Sequence, residues 1–161
     1  MPTKTHARRA FLCLYALAMA GMLTGLAPNV AWAANDKDGP GVMTVYKSPS
    51  CGCCAKWVEY LRRDGFKVTV EDGANMQTVK AYYGVAPKMA SCHTAIIDGY
   101  VIEGHVPSAD IRRLLHERPP VLGLTAPGMP QMSPGMHSEI PRDYDVLTFD
   151  KEGRLNLFSR Y

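Results

Sequence analysis

Several familiar chemistries have no residues here to carry them. The sequence shows no glycine-rich phosphate loop, no paired carboxylates in an acid/base arrangement and no Ser-His-Asp set. The formal charge of +3 does not mark a nucleic-acid binder, because the first ten residues account for it. Of 18 Lys and Arg, three (Lys4, Arg8 and Arg9) precede the apolar run, and no acidic residue lies before Ala34. The remaining 15 basic residues meet 15 acidic ones, which leaves no basic surplus to track a phosphate backbone. No second hydrophobic run follows the first, so no permanent membrane span is expected in the rest of the chain.

At 161 residues the chain holds one ordinary domain with extra segments. Residues 1–33 read as a cleaved export signal: a basic start, an apolar stretch from Ala10 to Leu26, and the small-x-small pattern Ala31-Trp32-Ala33. Ala7-Arg8-Arg9-Ala10-Phe11-Leu12 resembles a twin-arginine signal without the usual Ser or Thr before the pair. The expected location is therefore the periplasm or another exported compartment. Residues 34–41 are polar and contain Gly39-Pro40-Gly41, a flexible lead-in.

Cleavage would remove Cys13 and leave Cys51, Cys53, Cys54 and Cys92. Four cysteines in an oxidising compartment usually form two structural disulfides. Here three of them fall within four residues, and adjacent cysteines make only strained bridges, so the cluster reads as a site.

The pattern around it predicts strand, helix, strand, helix, strand, strand, helix. Met43 to Tyr46 begins the series, and Ser48-Pro49-Ser50 breaks it with Ser50 as an N-cap. A helix from Cys51 to about Arg63 carries Cys54, Trp57, Val58 and Leu61 on one face. Lys67 to Glu71 forms a strand, and Asn75 caps a helix that turns Met76, Val79 and Tyr82 or Tyr83 inward. Thr94 to Ile97 and Tyr100 to Val106 flank Asp98-Gly99, a two-residue hairpin signal. Ser108 caps a helix bearing Ile111, Leu114 and Leu115, stopped by Pro119-Pro120. A strand that runs into Cys-x-x-Cys at a helix start, with a terminal hairpin and helix, gives an α/β, thioredoxin-like domain over residues 42–118.

Residues 119–142 hold six of the ten prolines that follow the leader, and are expected to be an arm without regular structure. The arm repeats Pro127-Gly128-Met129 as Pro134-Gly135-Met136, with Met132 between and His137 after. Residues 143–161 read as a closing β-hairpin that leans on the domain.

Cys51 and Cys54 lie on one helix face at the helix N-terminus, where unpaired N–H groups favour thiolate. Such thiolates serve disulfide exchange or metal binding. An extra thiol at Cys53 would scramble an exchange enzyme's own disulfide, whereas a soft metal gains from each added sulfur. The hairpin turn makes opposed residues sum to 197, which places Cys92 across from His105 with Cβ atoms about 5 Å apart. A regular strand would send His93 to the other face, although strand ends often bulge, so His93 stays a candidate ligand. Four thiolates suit zinc, iron–sulfur clusters or Cu(I). There is one cysteine knuckle where structural zinc commonly has two, ferredoxin spacing is absent, and the arm offers Met129, Met132, Met136 and His137 as further ligands. Copper fits best, with packing of the methionines against the domain as the competing reading.

Cys51-Gly52-Cys53-Cys54, Ser91-Cys92-His93-Thr94, Gly99-Tyr100-x-Ile102-Glu103-Gly104-His105-Val106-Pro107 and Pro127-Gly128-Met129-Pro130 resemble the periplasmic CopG family of copper-resistance proteins. The resemblance spans about Met43 to Met136. It implies a thioredoxin-like fold, a polynuclear Cu(I) site with Cys51, Cys53, Cys54 and Cys92 as ligands and His93 and His105 as further ligands, and a Cu(I)/Cu(II) oxidoreductase role. The implied partners are copper ions, copper-efflux components and an electron-transfer protein. A passive copper chaperone or store, and a thiol–disulfide oxidoreductase using Cys51 and Cys54, stand as alternatives.

Overall fold

In the computed structural model, residues 41–161 are described; residues 1–33, read above as an export signal, and nearly all of the expected lead-in lie outside them. The chain first lays down β1 (Val42–Lys47), α1 (Gly52–Arg63), β2 (Lys67–Asp72) and α2 (Met76–Tyr82). A short 3₁₀ turn (Pro87–Met89) leads to β3 (Thr94–Ile97) and β4 (Tyr100–Glu103), and α3 (Ser108–Glu117) follows. The chain ends with β5 (Gly123–Thr125), β6 (Asp145–Phe149) and β7 (Leu155–Arg160).

All seven strands share one sheet in the order β2-β1-β3-β4-β5-β6-β7. β1 pairs parallel with β2 and antiparallel with β3, and β3 pairs antiparallel with β4. The β-α-β-α-β-β-α series and this central order agree with the expected α/β, thioredoxin-like arrangement. Apolar residues every third or fourth position make α1 and α3 adhere to the sheet. Trp57, Val58 and Leu61 of α1 and Ile111 and Leu114 of α3 are buried with Met43, Val45, Ala95 and Ile102 from the strands. A smaller cluster of Val85, Met89, Val101 and Phe149 is separate from it.

The hairpin register is the predicted one, with Ile97 opposite Tyr100 and Thr94 opposite Glu103. Asp98 and Gly99 both take positive φ (47° and 82°), as a type I′ turn requires.

Several details differ from the sequence expectation. The N-caps are Cys51 and Pro107, one residue away from the expected cap at α1 and at α3. Helix α2 buries no residue, and Tyr82 is 82% exposed; Tyr83 carries the partial packing instead. The segment after Pro119 is not wholly irregular. Its Gly123–Thr125 forms β5, parallel to β4 and antiparallel to β6, which joins the closing hairpin to the domain's sheet. Three residues among prolines and glycines give little local strand signal, so neighbouring strands impose this structure. β4 ends at Glu103, short of Val106, because Gly104 turns the chain with φ of 74°.

Candidate metal centre

The chain leaves β1 through Ser48-Pro49-Ser50, and the Cys51 N–H donates to the Ser48 carbonyl (3.0 Å) before α1 begins. This puts Cys51, Cys53 and Cys54 on the first turn of α1. Cys54 is fully buried, whereas Cys51 and Cys53 are half-buried. Cys51 and Cys54 form a disulfide, and the Cys53 sulfur lies 3.6 Å from that of Cys51. Cys53 and Cys92 are free thiols.

Cys92 arrives from the loop before β3. Glu103, with no exposed surface, anchors that loop: its Oε1 accepts from the Ser91 N–H (2.6 Å) and pairs with Lys80 (2.5 Å). Its Oε2 accepts from the Thr94 hydroxyl (2.7 Å). Gly104 lets the loop approach, since a Cβ there would lie 2.5 Å from Ser91 Oγ and 2.8 Å from the Ala126 carbonyl oxygen. Ser91 Oγ also donates to the Gly128 carbonyl, which ties the loop to the arm.

These elements bring the sulfurs of Cys51, Cys53, Cys54 and Cys92 within 4.8 Å of one another. Cys92 belongs to a second group as well, in which its sulfur and a ring nitrogen from each of His93 and His105 lie within 4.8 Å. The Cys92 sulfur is 3.2 Å from His105 Nε2 and 3.4 Å from His93 Nδ1. His105 thus faces Cys92 as the hairpin register predicts. His93 does not turn to the opposite face: the regular ladder starts only at Thr94, and the His93 carbonyl accepts from Gly104 N–H (3.0 Å). Its ring lies against Trp57, with centroids 4.3 Å apart.

The Pro134 carbonyl accepts from His105 Nδ1 (2.8 Å), which leaves the Nε2 lone pair directed at Cys92. The arm reaches this position through Gly135 (φ 87°), where a Cβ would lie 2.7 Å from Trp57 N and 2.9 Å from the Cys53 carbonyl oxygen. Burial holds His93 well below its ordinary value, with the neighbouring His105 and Lys80 adding to the effect. Burial also lowers His105, against the opposing pull of the Pro134 carbonyl. Burial first, and then the nearby Cys53 thiol, push Cys92 up to about 11. At neutral pH the pocket therefore holds two neutral imidazoles and a protonated Cys92, whose proton a bound metal must displace.

The methionine arm divides. Met129 lines an open pocket with Ala90, Ser91, Cys92 and Gly128, beside the Cys92 thiol. Met136 and His137 line a different concavity, with Lys56, Glu59 and Arg63 among its walls and no cysteine. Met132 is half-buried, and its carbonyl accepts from the Arg142 N–H (3.1 Å). Glu103, Lys80 and Pro134 escaped the sequence reading as site residues. A lone acid in the apolar run Tyr100-Val101-Ile102-Glu103 was the available signal for the first.

Two solved structures, described as "Copper resistance protein copG" in forms 1 and 2, share this fold with a TM-score of 0.70. Each is 42% identical to the chain, and the match covers 76% of this chain and 98% of theirs. The chain belongs to the CopG family of copper-resistance proteins. A family profile described as a protein of unknown function, DUF411, matches residues 89–136, the stretch that in this CopG-family chain holds Cys92, His93, His105 and most of the arm. No curated protein matches the chain. No helix among the described residues is long and apolar enough to cross a membrane.

Proposed function

We propose that the chain is an exported, periplasmic copper-binding protein that holds more than one Cu(I) on Cys51, Cys53, Cys54 and Cys92. In this reading it interconverts Cu(I) and Cu(II) in copper resistance. The carrying observation is the convergence of four sulfurs within 4.8 Å. Thiolate is a soft donor, and adjacent thiolates that fit poorly around one tetrahedral ion can bridge several cuprous ions. The name of the 42%-identical structures, copper resistance protein, supports copper as the cargo. The residues at the export signal and the absence of a charge surplus fit a protein acting on metal outside the cytoplasm.

Loading such a group requires the Cys51–Cys54 disulfide to open, which consumes two electrons from an external dithiol-class reductant and yields two thiols. Each thiol bound to Cu(I) then gives up its proton. Sulfur ligation favours the cuprous state, so one-electron oxidation of a bound ion needs an accepting partner of high potential. The partners in this reading are copper ions, efflux components and an electron-transfer protein.

The Cys51–Cys54 disulfide at the start of a helix favours a second reading, thiol–disulfide exchange, in which Cys51 attacks and Cys54 resolves. Cys53→Ala separates the two. Exchange survives the loss of Cys53, whereas a multi-copper group loses stoichiometry. Unchanged Cu(I) uptake in Cys53→Ala would contradict the proposed site.

A further inference from the structure

Aromatic side chains lead away from the metal centre along one stretch of backbone. The Trp57 ring lies against the His93 ring, with centroids 4.3 Å apart, and neither residue has exposed surface. Tyr60 follows three residues later on the same face of α1. The segment after His105 then engages one aromatic polar group at every second residue. The Trp57 indole N–H donates to the Val106 carbonyl (2.9 Å). The Tyr60 hydroxyl bonds the Ser108 hydroxyl (2.8 Å) and accepts from the Ser108 N–H (3.2 Å). The Tyr161 hydroxyl donates to Asp110 (2.9 Å). Two residues of chain span at most about 7 Å, so the three side chains meet successive points of one short path from the centre to the end of β7. Tyr60 and Tyr161 pack against the core that contains Trp57.

We propose that Trp57, Tyr60 and Tyr161 form a relay that carries an oxidising equivalent away from the metal centre, with Asp110 as the base that takes the Tyr161 proton. The inference rests on the copper reading only for the origin of that equivalent. A cuprous cargo ion gives one electron to hydrogen peroxide, which splits into hydroxide and a hydroxyl radical. The radical takes an electron from Trp57 and becomes hydroxide, leaving an indole radical cation. An electron then passes from Tyr161 through Tyr60 to Trp57, the Tyr161 O–H proton moves to Asp110, and a neutral tyrosyl radical remains. An external one-electron donor of the ascorbate class returns the electron, and Asp110 returns the proton. The cysteines of the centre are thereby spared the steps that end in sulfinic and sulfonic acid.

Three observations support the relay and its terminus. First, oxidation makes a phenol strongly acidic, so a tyrosine that holds the radical needs a base in hydrogen-bond reach. Tyr161 has the Asp110 carboxylate, which is only 4% exposed and also accepts from the Ser159 hydroxyl. Second, the neighbouring Tyr144 has no such base. Its ring lies 5.5 Å from that of Tyr161, yet its buried hydroxyl has no hydrogen-bond partner, so its oxidation would strand a proton. The indole N–H of Trp57 likewise meets only a carbonyl, which cannot take the proton, so the equivalent moves on. Third, Tyr161 is fixed and protonated. Its N–H donates to the Tyr144 carbonyl (3.0 Å) and its carbonyl accepts from the Asp143 N–H (2.8 Å). Burial, and then Asp110, push its hydroxyl up to about 12, so the proton leaves only on oxidation.

The test uses the metal-free full chain carrying Trp32→Phe, in which Trp57 is the sole tryptophan. A laser pulse at the red edge of indole absorption photoionises Trp57, and hexaamminecobalt(III) takes up the ejected electron. Transient absorption is expected to show the tryptophanyl band decaying as the tyrosyl band rises, at a rate independent of protein concentration and slower in D2O. Tyr161→Phe should abolish the tyrosyl band, Asp110→Asn should lower its yield, and Tyr60→Phe should slow its rise. Tyr144→Phe should change neither yield nor rate. Circular dichroism confirms that each variant is folded. If Tyr161→Phe does not fold, Asp110→Asn carries the same test, since it keeps an acceptor for the hydroxyl and removes only the base. An undiminished tyrosyl band in Tyr161→Phe or Asp110→Asn, or a rise that scales with protein concentration, overturns the relay. No metal takes part, so such a failure leaves the four-sulfur copper reading in place. Absent Cu(I) uptake with the radical transfer intact removes copper as the source and keeps the relay.

Discussion

Glu103 is the residue whose removal most directly tests how the fold holds Cys92. Its carboxylate is completely buried and takes hydrogen bonds from Lys80, the Ser91 backbone and Thr94. Burial pulls its pKa upward, and Lys80 opposes that pull. Glu103→Ala strands the Lys80 ammonium, whose side chain is only 14% exposed, and breaking a buried pair from one side costs about 3–5 kcal/mol. It also leaves the Ser91 N–H without its acceptor. Out of a typical total of about 5–15 kcal/mol, that loss is large. Glu103→Gln keeps an acceptor for Ser91 and loses only the charge, so a smaller cost of about 1–3 kcal/mol is expected. Lys80→Met added to Glu103→Gln should recover part of it, because no charge is then left unpaired. Urea unfolding measures the stabilities, and the alkylation rate of Cys92 in a Cys53→Ser background reports whether the Ser91–His93 loop has loosened. A Glu103→Ala variant within about 1 kcal/mol of wild type, with unchanged Cys92 alkylation, would refute the anchoring role.

Other expectations follow from the same geometry. Burial lowers both His93 and His105 from 6.5, so below that pH the unfolded chain binds more protons than the folded one. Their contribution to stability is present above 6.5 and is lost as pH falls, by up to about 1.4 kcal/mol per pH unit for each histidine. Equal urea midpoints at pH 7.5 and 5.5 would contradict this. Gly135→Ala places a Cβ against the Trp57 and Cys53 backbone at a positive φ, and should cost about 1–3 kcal/mol while loosening Pro134 from His105. Unfolding curves, with the imidazole nitrogen shifts of His105, check both parts. Met129→Leu should slow Cu(I) transfer into the chain, because Met129 borders the opening at Cys92. Met136→Leu should not, since no cysteine lines its concavity. Equal stopped-flow transfer rates for the two variants would remove Met129 from the entry route.

The parts of this site that were readable from sequence are those controlled by local rules. Asp98-Gly99 sets a two-residue turn, that turn sets the register, and the register places His105 opposite Cys92. The crowding of Cys51, Cys53 and Cys54 is itself a sequence fact, and the α1 periodicity puts Cys54, Trp57 and Leu61 inward. The parts that stayed hidden depend on tertiary partners. β5 exists because β4 and β6 offer it hydrogen bonds, not because Gly123-Leu124-Thr125 prefers a strand. His93 turns inward because Gly104 breaks the ladder one residue beyond β4, which a strictly alternating strand cannot anticipate. The arm's support of His105 is a single backbone carbonyl, which no side-chain pattern could advertise.

The proposed copper function turns on what the four sulfurs bind. An anaerobic Cu(I) titration of the reduced chain, with metal analysis and copper-edge X-ray absorption on the loaded protein, reads this directly. The account predicts more than one Cu(I) per chain with sulfur-dominated ligation and short copper–copper distances. Stoichiometric zinc retention or negligible Cu(I) uptake, together with efficient disulfide exchange, would contradict it.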